Sequence, residues 1–304
     1  MVAPPLPSDA ALRSVVAGDL HVGYRDEGPA TGPPVVLLHG FPYDLHAYEA
    51  VSPRLVAAGC RVITPFLRGF GTTAFRDPAT PRSGQQAALA HDLLALMDAL
   101  HLPAAVLGGY DWGGRAASIV AALWPDRVRG LVCDGYSLQD LAAAARPLPP
   151  EVEQRYWYQY YFHGERGRAG LMEHRRALTR LLWATWSPTW AFPPATFART
   201  AAAFDNPDFV EVVIHAYRHR FGLVPGDPAY EATEARIAQQ PPIAVPTLTL
   251  HGGADAVTPP PTAADPRFQG PYAWRVLPGV GHNLPQEAPE AFAEALLAVA
   301  GLEA

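Results

Sequence analysis

Short apolar runs alternate with longer stretches of helical period along this chain. Val35–Leu38, Arg61–Thr64, Ala104–Gly108, Arg129–Cys133, Thr247–His251 and Trp274–Leu277 have the length and residue types of buried strands. Leu12–Val16 and Leu20–Asp26 precede them and predict an opening antiparallel pair, which brings the expected strands to eight. Between the strands, apolar positions recur at helical spacing over about His46–Ala58, Ser83–Leu100, Gly113–Leu123 and Gln286–Ala300, the second with leucine at 93, 94, 96 and 100. Such alternation predicts an α/β fold: an eight-stranded, mostly parallel sheet flanked by helices.

The alternation breaks once. From Asp134 to Pro246 the chain carries helical periodicity and no convincing strand, so an inserted helical cap is expected there. Aromatic residues concentrate in it, with Tyr156, Trp157, Tyr158, Tyr160, Tyr161 and Phe162 followed by Trp183, Trp186, Trp190 and Phe192. Pro147, Pro149, Pro150, Pro241 and Pro242 punctuate its two ends. The expected organisation is a core from 1–136 and 241–304, interrupted by a cap at 137–240.

Composition narrows the function classes. Hydrophobic residues make up 49% and charged residues 17% of the 304, and no apolar run has the length of a membrane span. The Met1–Pro7 stretch is proline-rich and lacks a basic region followed by an apolar one, so no secretory leader is expected and cytoplasmic residence is the default. Cys60 and Cys133 read as free apolar thiols. All 23 basic residues are arginine, which excludes Schiff-base lysine chemistry and a P-loop lysine. A net charge of −6 with scattered arginines argues against a nucleic-acid surface. No zinc-type His/Cys spacing occurs, and no metal or cofactor is expected.

The candidate chemistry starts at Gly109-Tyr110-Asp111-Trp112-Gly113, directly after the Ala104–Gly108 run. Flanking glycines permit the sharp strand-to-helix elbow that exposes a nucleophile, and here that nucleophile is a carboxylate. An aspartate attacks carbon and leaves an alkyl ester on the enzyme, so its substrates are strained epoxides or carbons bearing a halide. A nucleophile of this kind needs a base and the base an orienting acid, in the chain order nucleophile, acid, histidine. Asp255, in the loop after Thr247–His251, and His282, in the loop after Trp274–Leu277, complete that order with Asp111. Asp134, just after Arg129–Cys133, is the alternative acid. His39-Gly40-Phe41-Pro42 follows Val35–Leu38 and supplies a turn whose Phe41 amide, with that of Trp112, would form an oxyanion hole, aimed by a cis bond before Pro42.

With these residues in view, the chain resembles the α/β-hydrolases of the epoxide hydrolase branch over essentially its whole length. Tyr158-Gln159-Tyr160-Tyr161-Phe162 resembles the Y-Q-x-Y-F stretch whose first tyrosine points into the site, with Tyr156, Tyr160 and Tyr161 competing for that role. Tyr217-Arg218 resembles the second-tyrosine stretch but lacks its Asn-Trp, and Phe66 stands where relatives commonly have aspartate. The resemblance implies that Tyr158 and Tyr217 stabilise and protonate the oxygen of an opening epoxide. It further implies a water attack driven by His282 and release of a vicinal diol.

Small-molecule epoxide and water are the expected partners, the epoxide apolar or aromatic, and the chain leaves room for a homodimer. His39, Trp183, Trp186 and Arg115 complete the expected substrate-binding set. A haloalkane or haloacetate dehalogenase would use the same Asp111, Asp255 and His282. In the haloacetate enzymes two arginines follow the nucleophile, and Arg115 matches the second while Trp112 replaces the first. A non-catalytic ligand receptor on the same fold is the third reading.

Overall fold

Most of the apolar runs occupy the middle of one sheet, where both faces are covered, while Trp274–Leu277 forms an exposed edge strand. The computed structural model describes residues 11–302; Met1–Pro7, read above for a leader, lies outside them. The strands are β1 (Arg13–Ala17), β2 (Leu20–Glu27), β3 (Pro34–Leu38), β4 (Arg61–Pro65), β5 (Ala74–Phe75), β6 (Ala105–Gly109), β7 (Val128–Cys133), β8 (Thr247–Gly252) and β9 (Tyr272–Leu277). Their order across the sheet is β1-β2-β4-β3-β6-β7-β8-β9, with β5 paired on β2. β1, β4 and β5 meet β2 antiparallel, and every pairing from β4 through β3 to β9 is parallel. Eight strands fall where the apolar pattern predicts them, and the ninth, β5, is a two-residue strand too short to register as periodicity.

α1 (Ser52–Ala57), α2 (Gln86–Ala99) and α3 (Asp111–Leu123) follow β3, β5 and β6 respectively, directly or through turns. The interval between β7 and β8 is helical throughout, with α4 (Leu141–Ala144), α5 (Pro150–Glu153), α6 (Trp157–Tyr161), α7 (Glu165–Trp186), α8 (Pro194–Ala201), α9 (Phe209–Arg220) and α10 (Glu231–Ile237). α11 (Leu284–Glu287) and α12 (Pro289–Ala300) close the chain.

Three expected helices are shorter or broken, each for a local reason. The 46–58 pattern splits into a single 3-10 turn at Leu45–Tyr48 and α1, which restarts with Pro53 in its first turn. Proline has no N–H to continue a helix but suits its start. The 83–100 pattern begins only at Gln86, because the Ser83 carbonyl accepts from Arg68 and the Gly84 amide donates to His215. The 286–300 pattern starts earlier and breaks at Ala288, whose φ of −140° is the extended conformation favoured before Pro289.

The helical insert is anchored to the core by polar contacts. Trp183 Nε1 donates to the Pro42 carbonyl at 2.8 Å, and Thr200 Oγ1 donates to Asp44 at 2.9 Å. Among the described residues, no helix is long and apolar enough to cross a membrane.

Candidate active site

Five loops leave the carboxyl ends of parallel strands on one edge of the sheet, where α/β folds assemble their sites. Phe41 follows β3, Asp111 follows β6, Asp134 follows β7, Asp255 follows β8 and His282 follows β9.

Asp111 opens α3 with φ at +51°, in the left-handed region that non-glycine residues seldom adopt. Its neighbours must be small for this to fit. A Cβ on Gly113 would sit 2.0 Å from the Leu38 carbonyl oxygen, and one on Gly40 would sit 2.5 Å from Asp111 Cβ. The turn is further held by Asp134 Oδ2, which accepts from the Asp111 backbone N–H at 2.8 Å.

The Asp111 carboxylate has two unlike oxygens. Oδ1 accepts from the Phe41 amide at 2.7 Å, and Oδ2 lies 3.9 Å from His282 Nε2. The Phe41–Pro42 bond is cis. Among the described residues the Trp112 amide makes no hydrogen bond to this carboxylate; its ring stacks on that of Phe41 at 5.6 Å.

His282 is held from both ends. Its Nδ1–H donates to Asp255 Oδ2 at 2.8 Å, and Asp255 Oδ1 accepts from the Val257 and Thr258 amides at 2.7 and 2.9 Å. That leaves Nε2, buried and without a partner among the described residues, facing Asp111. Of the two candidate acids, Asp255 is the one on the imidazole, whereas Asp134 Oδ2 accepts the Asp111 backbone amide.

Electrostatics follow from this packing. Burial pulls the His282 imidazole down, but the Asp255 charge and hydrogen bond, with Asp111 and Asp134 beyond, outweigh it and hold the group at about 9. Burial pushes the Asp134 carboxyl up to about 6, against the hydrogen bond from the Asp111 amide.

Tyr158 and Tyr217, from the helical insert, come together beside the Phe41 loop. Tyr158 and Tyr217 are each 3% exposed, their ring centroids 5.5 Å apart, and Tyr217 packs edge-on to Phe41 at 5.6 Å. Tyr158 Oη accepts from Gln159 Nε2 at 2.9 Å, so its own proton is free for another acceptor. Burial raises both phenols, helped at Tyr217 by its neighbour Tyr158 and at both by the Asp111 charge, so they stay protonated donors at neutral pH.

A cavity of about 240 Å³ is walled by Asp111, Asp134, Arg115, Tyr158, Gln159 and His282 among others. Four expected substrate contacts do not line it: Tyr217, which sits behind Tyr158 and Phe41, and His39, Trp183 and Trp186. His39 is fully buried, its Nδ1–H donating to the Gly40 carbonyl at 2.9 Å and its Nε2 accepting from the Leu67 amide at 3.1 Å. Burial lowers it to about 4, so it is a neutral brace for the turn with no face on the cavity. Trp183 is fully buried against Tyr43, Trp190 and Phe192, because its indole N–H reaches the Pro42 carbonyl. Trp186 stands behind the wall, its ring 4.9 Å from Tyr158 and 5.2 Å from His282. The expected apolar pocket is thus a mostly polar one, since the tryptophans pack on each other and on the catalytic-edge rings.

Several site residues gave no usable sequence signal. Ser187, ending α7, accepts the His282 amide at 3.0 Å and donates to Glu287 at 2.6 Å, while Glu287 also accepts the Gly281 amide at 2.7 Å. Nothing in their spacing marks a serine 95 residues upstream as a partner of the histidine loop. Gln159 and Arg220 are also on the wall; the first lies inside the Tyr158–Phe162 stretch and the second lies one helical turn beyond Tyr217.

An elbow carboxylate after β6, a carboxylate after β8 and a histidine after β9, gathered at one sheet edge, are the arrangement of an α/β-hydrolase. The chain belongs to the alpha/beta hydrolase fold family, whose pattern matches residues 33–289. A candidate epoxide hydrolase from Klebsiella pneumoniae is 48% identical, with a TM-score of 0.94 over 96% of this chain and 97% of its own. Among curated relatives, an epoxide hydrolase 3 from Siraitia grosvenorii is 38% identical over 102 residues, 34% of this chain and 32% of its own. A haloalkane dehalogenase from Mycobacterium marinum is 39% identical over 115 residues, 37% of each chain. The match spans about a third of the length of these curated relatives.

Proposed function

We propose that this protein opens an epoxide to a vicinal diol through an ester on Asp111. The observation that carries the reading is the pairing of an elbow carboxylate with two buried, protonated phenols, Tyr158 and Tyr217. Attack on a halide needs a site for an anion that leaves, whereas attack on an epoxide needs a proton for an alkoxide that stays attached, and phenols supply it.

In this scheme Oδ2 of Asp111 attacks one ring carbon from the side opposite its C–O bond, and that bond breaks towards the tyrosine hydroxyls. Oδ1 becomes the ester carbonyl oxygen and already rests on the Phe41 amide, which is where negative charge develops in the second step. The Trp112 amide, free of the ground-state carboxylate, is available to the tetrahedral intermediate. His282 Nε2 takes a proton from water, that water attacks Cγ of Asp111, and collapse of the intermediate breaks the Cγ–Oδ2 bond, so the diol leaves with Oδ2, protonated by the imidazolium that Asp255 stabilises.

Forming the ester removes the Asp111 charge, one of the causes that hold His282 high. The imidazole therefore becomes a better-populated base when the ester needs hydrolysing. Residues 137–240 act as the cap over a core formed by 1–136 and 241–304. Buried, unpaired Cys60 and Cys133 fit a reducing compartment such as the cytoplasm.

Single turnover in isotopically labelled water tests the scheme. Label is expected first in the peptide carrying Asp111, with halide release absent from a matched haloalkane panel. Label entering the diol directly, with that peptide unlabelled, overturns it.

A further inference from the structure

Two arginines without acids meet on one wall of the cavity. Arg115 lies on α3 in the core, one turn beyond Asp111, and Arg220 ends α9 in the cap. Both also line an outer chamber of about 340 Å³ that shares this wall.

Several buried or half-buried arginines find carboxylates, as Arg68 does with Asp92 and Arg218 with Glu165, whereas half-buried Arg155 and Arg175 do not. Among the described residues Arg115 and Arg220 form no such pair. Arg115 Nε donates to the Ser137 carbonyl at 3.2 Å, and the Gln139 side-chain oxygen, with its amide turned, accepts from the same guanidinium at 3.2 and 3.3 Å. These are neutral acceptors. Arg220 donates no hydrogen bond among the described residues.

Among the described residues no nearby acid pairs with either guanidinium; Asp111 and Asp134 act on Arg115 through charge alone, and Asp134 Oδ1 has no hydrogen-bond partner. Asp111 receives the Phe41 amide and Asp134 the Asp111 amide, Asp140 caps α4 through the Ala142 and Ala143 amides, and Glu153 accepts from Leu148 and Tyr160. Burial and the neighbouring Arg220 charge together lower Arg115 from its ordinary value. Two like charges facing one cavity repel, and an anion between them relieves that repulsion. On the same wall, Ser137 Oγ is buried and has no hydrogen-bond partner among the described residues.

Resting on the reading of Asp111 as nucleophile, we propose that the substrate is an epoxide bearing a carboxylate, the acid held between Arg115 and Arg220 while the ring faces Asp111. A planar carboxylate suits guanidinium donors, and charge-assisted hydrogen bonds of this kind are about twice as strong as neutral ones. Since one arginine belongs to the core and the other to the cap, the anion also ties the two together over the nucleophile. The aromatic walls formed by Tyr136 and Tyr156 leave room for an aryl substituent beside the acid.

The test compares trans-3-phenylglycidate with its carboxamide in turnover, and trans-2-phenylcyclopropanecarboxylate with its carboxamide in calorimetric binding. The cyclopropanes cannot be opened, so they report the subsite alone. The carboxylate of each pair is expected to be favoured about tenfold or more, and Arg220→Gln and Arg115→Gln are each expected to cut that ratio about tenfold. Equal binding of acid and amide by the unmodified protein, or a ratio unmoved in both variants, overturns the proposal. Selective binding of the cyclopropane acid with no opening of either epoxide supports the anion subsite and overturns the proposed function. If Arg115→Gln fails to fold, the unmodified protein and Arg220→Gln still decide.

Discussion

His282 Nε2 stops 3.9 Å short of Asp111 Oδ2, beyond hydrogen-bond reach and with no other partner among the described residues. In the proposed scheme this spacing leaves Asp111 free to attack and the imidazole lone pair free for water. His282→Gln is therefore expected to form the ester and fail to hydrolyse it. Intact-protein mass should rise by the mass of the epoxide, on the peptide carrying Asp111; a variant that turns over normally would refute this role.

Asp111→Asn should lower turnover to background, because an amide is a far weaker nucleophile than a carboxylate. Asparagine tolerates the left-handed backbone that Asp111 adopts at +51°, so the fold should survive. Circular dichroism and a rate assay on a sample checked for deamidation measure both halves of this expectation.

The pH profile carries a signed expectation. His282 must be unprotonated to activate water, and its pKa is held up to about 9 from an ordinary 6.5. kcat should rise with pH on the acidic limb, with an apparent pKa below about 9, because the ester lacks the Asp111 charge. Asp255→Asn should move that limb downward and reduce kcat by about a thousandfold, by removing the strongest influence that raises the imidazole and by loosening its tautomer. An acidic limb that does not move in this variant would separate Asp255 from the base.

Tyr158→Phe and Tyr217→Phe should each reduce the alkylation rate by about a hundredfold. The pair removed together should cost less than the product of the two, since both serve one developing oxygen charge. Stopped-flow quenching of the site tryptophans on ester formation provides the readout, and a full rate with both phenols gone would contradict their role.

Gly113→Ala places a methyl 2.0 Å from the Leu38 carbonyl oxygen. Backbone must shift to admit it, which should cost about 3 kcal/mol of stability. Gly164→Ala meets nothing within 4 Å and should cost about 1 kcal/mol or less, so paired thermal melts check the contrast.

The sheet was readable because its strands are apolar on both faces, as in Ala105–Gly109 and Thr247–Gly252, where burial is unbroken. Asp111, Asp255 and His282 were readable because loops after parallel strands converge by topology, which a linear order of motifs preserves. His39 and Trp183 were misplaced for the opposite reason: their neighbours in space, Leu67 and Pro42, are set by packing, and an imidazole in a glycine turn looks alike whether it braces or binds. The two-residue β5 and the breaks at Pro53 and Ala288 lie below the length at which periodicity speaks. Arg220 went unnoticed since its lack of an acid is a three-dimensional property, and its chain neighbour Arg218 does find one in Glu165.

The hydroxyl of Ser187 ends the longest helix of the insert and simultaneously steadies the loop that carries the imidazole. Grafting a foreign lid onto this scaffold, or this lid onto another, would consequently disturb the base even if every pocket wall were matched. A recombination junction that respects the architecture would need to leave that corner, with Glu287 opposite it, on the same parent.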